Sequence, residues 1–305
     1  MIIVLLENAI DVLPKLRTKH FKFLRAIFGS LRKYRYVPIY VISRGMRMKS
    51  SHVRKIVEFL KDLGLVEMRK KEYEGYGLTM RGLDILALKA LSGFVDIEKI
   101  THRYDVGKEA DIHVCLSFDK KPYILKVFRL GRTSFKKVRS VRPSYETVAG
   151  GWILLSVNAA RREYEILRRL WEGGISVPKP LYRAYHMILM EYVNGIELVK
   201  AYVTDPLKVF RNIIFEIFKA YYVVGVIHAD LSEYNVLVDE KTSDIWIIDW
   251  PQWLEVEHEE AEGYMEKDME QIVRFFVRKH RINPEILENI IEEIKNEFRI
   301  SKHIP

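Results

Sequence analysis

The stretch I-H-A-D-L-S-E-Y-N-V-L-V, residues 227–238, decides how this chain is read. Apolar residues at both ends frame a polar middle. The pattern predicts a short strand, a loop carrying Asp230 and Asn235, and a second strand. A turn follows, and then I-W-I-I-D, residues 245–249, an apolar strand that closes on Asp249. Asp230 is suited to accept or orient the proton of an attacking hydroxyl or water. Asn235 and Asp249 offer hard oxygen ligands of the kind Mg²⁺ prefers. The plain alternative is a polar hairpin between two buried strands.

An aspartate followed five residues later by an asparagine, and then a strand-end aspartate, is the spacing H-x-D-x-x-x-x-N used in phosphoryl transfer by kinases. Such a site also needs a strand-borne lysine for the phosphates. Y-I-L-K-V-F, residues 123–128, supplies Lys126 inside an apolar run, where an ammonium group needs a partner. The next helix, read at about 156–172, has an apolar face through Ala160, Tyr164, Leu167, Leu170 and Trp171. Glu163 borders that face and Glu165 points to solvent, so Glu163 is the expected partner of Lys126. Upstream, Y-D-V-G-K-E-A-D-I-H-V, residues 104–114, offers Gly107 for close backbone approach to phosphates and Lys108 for charge. In I-L-M-E-Y-V-N-G, residues 188–195, a strand leads into a connector between lobes. There Met190 would border the adenine, and the backbones of Glu191 and Val193 would hydrogen-bond the base.

Working outward to the N-terminal side, charge placement is uneven. The chain of 305 residues carries a net charge of +9, and residues 1–64 hold 14 Lys/Arg against 4 Asp/Glu. That asymmetry points to a polyanionic partner, with RNA the first candidate. Residues 17–35 read as an amphipathic basic helix with Phe21, Leu24, Ile27, Phe28 and Leu31 on one face. A short helix is expected from Pro38 to Ser43. Another runs from Ser50, as N-cap, to Leu63, with His52, Arg54, Lys55 and Lys61 opposite its apolar stripe. A hairpin of Leu65–Lys71 and Gly77–Met80 around Y-E-G-Y-G follows, and then a helix over 81–92 and a linker at Ser92-Gly93. Helix, helix, hairpin is the order of a winged helix, with the basic helix as its recognition element.

The remaining features bound the reading. From Lys126 to Arg142 there are seven Lys/Arg and no acid, so residues 129–152 are expected to form a mobile loop. The single Cys115 fits a reducing cytosol and no disulfide. The opening M-I-I-V-L-L-E is interrupted too early by acids to read as a signal peptide, and no stretch is apolar enough to span a membrane. H-E-E, residues 258–260, lacks the second histidine of a zincin. No G-x-S-x-G elbow or dinucleotide fingerprint occurs. The acidic run Glu255–Glu270 reads as a solvated helix face. The last helix is expected from Asn283-Pro284 with Ile286, Ile290, Ile294 and Phe298 on its apolar face. After Asp249 come Trp250-Pro251, not Phe-Gly. No A-P-E follows, and the chain beyond is too short for the activation segment and peptide-docking helices of an ordinary protein kinase. A peptide substrate would then dock elsewhere, or ATP hydrolysis would be the main reaction.

On four motifs the chain resembles the RIO family of atypical kinases, and most closely its second subfamily. These are G-K-E-A-D-I (107–112), L-G-R-T-S-F-K-K-V (130–138), H-A-D-L-S-E-Y-N (228–235) and I-D-W-P-Q (248–252). V-P-I-Y (37–40) and the winged helix belong to the same subfamily. The resemblance implies an α+β protein: a two-lobed, truncated protein-kinase-like fold preceded by an N-terminal winged-helix domain. Residues 1–92 would form the latter and 93–305 the kinase domain, with lobes at about 93–190 and 194–305. It implies ATP with Mg²⁺ (or Mn²⁺) as cofactors, and Gly107, Lys108, Glu109, Lys126, Glu163, Met190, Glu191 and Val193 around the nucleotide. Lys126, Asp230 and Asp249 would be catalytic, and Asn235 and Asp249 would bind metal. Asp249 could also accept the phosphoryl group. It further implies serine kinase and ATPase activity in maturation of the small ribosomal subunit in the cytoplasm. The precursor's rRNA or proteins would dock on the basic first domain, and no membrane would be involved. Asp105 stands where many relatives have glycine, and Ala110 replaces a common serine. The rival expectations are an assembly factor with an inactive kinase fold and a small-molecule kinase of the aminoglycoside or choline type.

Overall fold

The computed structural model describes residues 6–70, 72–106, 110–130 and 151–301. Gly107, Lys108 and Glu109 lie outside the described residues, as does most of the basic stretch expected to be a mobile loop. The chain forms two compact units. One comprises residues up to Arg162 with Leu181–Glu191, and the other Glu163–Pro180 with the residues from Tyr192 onward.

The first unit begins with α1 (Glu7–Ile10), a 3₁₀ turn at Leu13–Lys15, and α2 (Thr18–Ser30). Phe21, Phe23, Leu24 and Ile27 of α2 are buried, as the helical spacing requires. β1 (Val37–Pro38), α3 (Ile39–Met46), α4 (Ser50–Asp62), β2 (Val66–Lys70), β3 (Glu74–Leu78) and α5 (Met80–Leu91) complete a winged helix, with strand order β1-β3-β2. Three details differ from expectation. Pro38 is the last residue of a strand paired with Gly75, so its helix begins one residue later. Lys49 occupies the N-cap of α4, and the Ser50 hydroxyl lies 3.1 Å from that of Ser43. Gly75, read as part of a turn, is a strand residue. A Cβ there would come within 2.9 Å of the Tyr36 Cβ and of the Tyr73 ring, so glycine lets the strand pass close to both.

α5 is capped by Thr79, whose hydroxyl accepts from the Gly82 N–H at 3.0 Å. The chain then enters β4 (Ile97–Val106), a strand that the polar sequence before residue 104 did not suggest. With β5 (Ala110–Ser117), β6 (Pro122–Phe128), β7 (Pro180–Ala184) and β8 (Met187–Glu191) it forms a five-stranded sheet of order β4-β5-β6-β8-β7. One hydrophobic core runs from Leu24 and Leu88 of the winged helix to Cys115, Leu125 and Leu189 of the sheet. Burial alone raises the Cys115 thiol to about 12, as expected of a core cysteine.

α6 spans Gly151–Glu172 and so starts five residues before the expected helix. Its buried residues include Ala160, Ile166, Leu167 and Leu170, whereas Trp171 is 43% exposed and lies off that face.

The second unit adds β9 (Ile196–Glu197), α7 (Pro206–Lys219), β10 (Val226–Ile227), β11 (Val236–Val238), β12 (Ile245–Ile247), β13 (Leu254–Glu255), α8 (Ala261–His280) and α9 (Pro284–Ser301). α7 continues into a π-helical turn, Ala220–Val224. Phe210 of α7 and Phe276 of α8 meet edge-to-face at 5.2 Å. α9 buries Leu287, Ile290 and Ile294. Ile286, expected on that face, is 45% exposed because the true stripe begins one residue later. No helix among the described residues is long and apolar enough to cross a membrane.

Candidate active site

Two short antiparallel strands hold the loop of residues 228–235. β11 pairs with β12 through Val236↔Ile247 and Val238↔Ile245, and with β9 on its other side. Val226 and Ile227 of β10 before the loop and Val236 and Val238 of β11 after it are buried, so apolar packing fixes both ends of the polar segment. The Ile248 N–H donates to the Asn235 carbonyl at 2.9 Å, which ties the residue before Asp249 to Asn235. Asn235 Nδ2 donates to the Asp230 carbonyl at 2.8 Å, leaving the amide oxygen as its acceptor end. The structure thus gathers Asp230, Asn235 and Asp249 at one place, as the spacing predicts.

Loss of water first, and the neighbouring Asp249 carboxylate second, push the Asp230 carboxyl above the ordinary carboxylate range. An acid raised by the charge of a neighbouring carboxylate is a natural seat for a cation. The donor set is oxygen only, which suits a hard divalent ion. Among the described residues no group of three or more His, Cys, Asp or Glu side chains could hold a metal.

The loop is braced from beneath. His228 is buried, its Nε2 lies 3.0 Å from the Ile248 carbonyl, and its ring packs 4.6 Å from Trp250. Ala229 and Asp249 both adopt left-handed backbone, each with φ of 64°. This is costly for non-glycine residues and persists where surroundings enforce it. At Ala229, Asp268 of α8 supplies the enforcement. Its Oδ2 accepts from the Ala229 N–H and its Oδ1 from the Leu231 N–H, both at 2.8 Å, so it grips the backbone on either side of Asp230. Asp268 is 5% exposed. Burial pushes its carboxyl up to about 6, against the opposing pull of the two N–H groups.

Asp268 corrects the reading of the acidic run 255–270 as a solvated face. The helical period offered a signal, since Asp268 lies three residues after the buried Met265 and four before the buried Ile272. Glu233, in the same loop, is also buried and accepts from Arg278 at 2.8 Å.

The other candidates lie as follows. Lys126 sits in the middle of β6, paired with Ile112 and Ile188, and is 7% exposed with its ammonium 5.3 Å from the Phe128 ring. Met190 is buried near the end of β8 and Glu191 ends that strand, exposed. The boundary between the compact units falls directly after Glu191, followed by the irregular stretch that contains Val193. Glu163 of α6 is 2% exposed, while Glu165 is exposed.

Two family models match the chain: the RIO domain over residues 111–288 and the Rio2 N-terminal domain over 13–93. Serine/threonine-protein kinase RIO2 of Saccharomyces cerevisiae is 32% identical over 284 residues, covering 88% of this chain and 65% of the yeast protein. RIO-type serine/threonine-protein kinase Rio2 of Methanocaldococcus jannaschii is 33% identical over 264 residues, covering 84% of this chain and 94% of the archaeal one. A crystal structure of the Rio2 kinase-ADP/Mg²⁺-phosphoaspartate complex from Chaetomium thermophilum superposes with a TM-score of 0.77 at 28% identity. That likeness covers 95% of this chain and 98% of the other.

Proposed function

The chain belongs to the RIO family, in its Rio2 branch, and from that premise we propose that it is an ATP- and Mg²⁺-dependent phosphotransferase whose site is built from Lys126, Asp230, Asn235 and Asp249. The observation that carries the reading is the cluster of Asp230, Asn235 and Asp249, with Asp268 holding both flanks of Asp230. Lys126, buried on a strand, would contact the phosphates and pair with Glu163. Gly107, Lys108 and Glu109 would line them, and Met190, Glu191 and Val193 would hold the adenine.

Asn235 and Asp249 would hold Mg²⁺, which when bound neutralises phosphate charge during transfer. In the step itself, an Asp249 oxygen attacks the γ-phosphorus as the bond to the departing ADP breaks. Water then cleaves the aspartyl phosphate. Asp230 orients that water, accepts its proton, and inorganic phosphate leaves. A serine hydroxyl in place of water gives kinase activity by the same proton transfer. By likeness, the Rio2 kinase-ADP/Mg²⁺-phosphoaspartate complex supports an aspartyl phosphate alongside ADP and Mg²⁺. The proposed setting is maturation of the small ribosomal subunit in the cytoplasm, with the basic first domain docking on the precursor. The supports are the charge of that domain and the family's implied role.

The test is to incubate the chain with γ-labelled ATP and Mg²⁺, quench in acid, and treat with hydroxylamine. The expected result is a hydroxylamine-labile label on wild type that disappears in Asp249→Asn. Absence of any label, together with ATP turnover at background, would leave an inactive kinase fold as the better reading.

A further inference from the structure

A cleft of about 470 Å³ opens on the winged helix between the chain leading into α2 and the exposed side of α4. It lies wholly within the first compact unit. Lys15, Arg17, Lys19 and Lys55 line it, all exposed, and no carboxylate does. Among the described residues none of these four cations forms a salt bridge, although Arg54, one position from Lys55, pairs with Glu74 at 2.9 Å. Four like charges around one concavity repel each other, and an anion relieves them.

The helix ends sharpen the case. Neither α2 nor α4 has an acidic residue in its first turn, and their N-caps are the basic Arg17 and Lys49. Basic residues there oppose the helix dipole, which favours anions at that end. Sequence selected for stability alone would place Asp, Asn or Ser at the two N-caps, where Arg17 and Lys49 stand.

The cleft also offers aromatic surface. The His20 and Phe59 rings stack at 4.7 Å with 28° between planes. His20 is 6% exposed, while Phe59 is 38% exposed and leaves part of its ring to the cleft. His20 Nδ1 accepts the Arg17 N–H at 3.0 Å. Its Nε2 makes no hydrogen bond among the described residues and is the position left to donate to a ligand. Burial, Lys19 and Arg17 all lower the His20 pKa, so the ring is neutral at pH 7 and carries its proton on Nε2. Met48 and Ile56 add apolar lining. Charge alone would suit any polyanion. Charge beside a stacked, half-open aromatic platform suits a phosphate strand with a splayed base.

We propose that this cleft binds single-stranded RNA, with one unstacked base laid against Phe59 beside His20 and the flanking phosphates on Lys15, Arg17, Lys19 and Lys55. The proposal rests on the reading above that the first domain docks on RNA, and it is independent of phosphotransfer. The volume is ample for one nucleotide.

The experiment is fluorescence anisotropy with the full chain and a labelled oligouridylate of twelve nucleotides, over a range of salt. Binding should weaken with salt, with a log–log slope of roughly −2 to −3 for about four phosphate contacts. Lys19→Glu with Lys55→Glu should reduce that slope by about 1.4. Phe59→Leu keeps apolar volume but removes the ring, and should weaken binding about tenfold with an unchanged melting temperature. An otherwise identical abasic strand should lose about as much. Asp230→Ala should bind RNA like wild type, and the double lysine variant should turn over ATP like wild type, which separates failure here from failure of the phosphotransfer reading. Equal binding of the abasic strand, or an unchanged affinity of Phe59→Leu, would overturn the base pocket. Displacement of the RNA by polyglutamate at equal charge would assign the cleft to acidic protein.

Discussion

Asp268 is the residue on which the site's geometry turns. Two backbone N–H groups, on Ala229 and Leu231, depend on its carboxylate at 2.8 Å each. Charge-assisted bonds of this kind are worth about 1.5–3 kcal/mol. Asp268→Asn keeps the shape but turns one acceptor into a donor that faces an N–H. ATP turnover should fall by roughly ten- to a hundredfold, with a smaller change in apparent ATP affinity. The pH dependence follows from the same group. Its folded carboxyl titrates near 6, above the ordinary value near 4 of an unfolded chain. The folded state therefore binds more protons in that window. The stability contributed by this group is fully present below about pH 4 and is lost as pH rises through 6, a change of about 3 kcal/mol. Turnover should run the other way. It should fall as pH drops through 6, as Asp268 protonates and loosens the loop, and the raised carboxyl of Asp230 should steepen the loss. A turnover profile flat from pH 7 to 5 in wild type would contradict this. The clustering of Asp230, Asn235 and Asp249 was legible in sequence because their types and spacing are local. Asp268 was not, because its partners lie 37 and 39 residues away and its neighbours are mostly exposed acids.

At the scale of elements, α5 shows how closely backbone can be required to pass. A Cβ on Gly82 would sit 2.1 Å from the Leu65 carbonyl oxygen and 2.7 Å from Leu78 Cδ1. The helix start therefore packs directly on the bend that leads into β2, and only glycine fits. Overpacking usually costs about 1–3 kcal/mol, and a backbone clash of this size belongs at the top of that range or beyond. Gly82→Ala should lower the thermal midpoint by several degrees, whereas Thr79→Ala should cost about 1 kcal/mol through the lost cap. Helices with clean apolar stripes, α2, α4 and α5, were readable within a few residues. The failures have specific causes. β4 carries Glu98, Lys99, His102 and Arg103 in a strand of ten residues, so no alternation announces it. The glycines of the hairpin favoured a turn, yet in β3 they make room for Tyr36 and Tyr73. Tertiary approach of one backbone to another leaves little trace in a local pattern.

The first compact unit joins the winged helix to the five-stranded sheet by a buried polar cluster as well as by its shared core. Arg129, at the end of β6, lies 2.8 Å from Asp84 of α5 and 3.7 Å from Asp111 of β5, and His186 Nε2 lies 2.9 Å from Asp84. Burial alone would raise the Asp84 carboxyl, but Arg129 and His186 hold it below its ordinary value. Burial lowers the His186 pKa, so the neutral ring donates from Nε2. Removing one member strands the others without water. Asp84→Ala should destabilise the chain by about 3–5 kcal/mol, seen as a loss of the native baseline in urea titration. A change below 1 kcal/mol would show that the cluster adds nothing to stability. None of this was visible in sequence, where Asp84 read as a helix residue before an expected linker. The contacts span 45 and 102 residues.

The proposed function has Asp230 acting on a nucleotide with Asn235, Asp249 and Lys126. Its most direct test is steady-state ATP turnover by the full chain with Mg²⁺, comparing wild type with Asp230→Ala after checking that both melt alike. The predicted outcome is measurable turnover in wild type that falls at least a hundredfold in the variant. Equal turnover in the two proteins would contradict it.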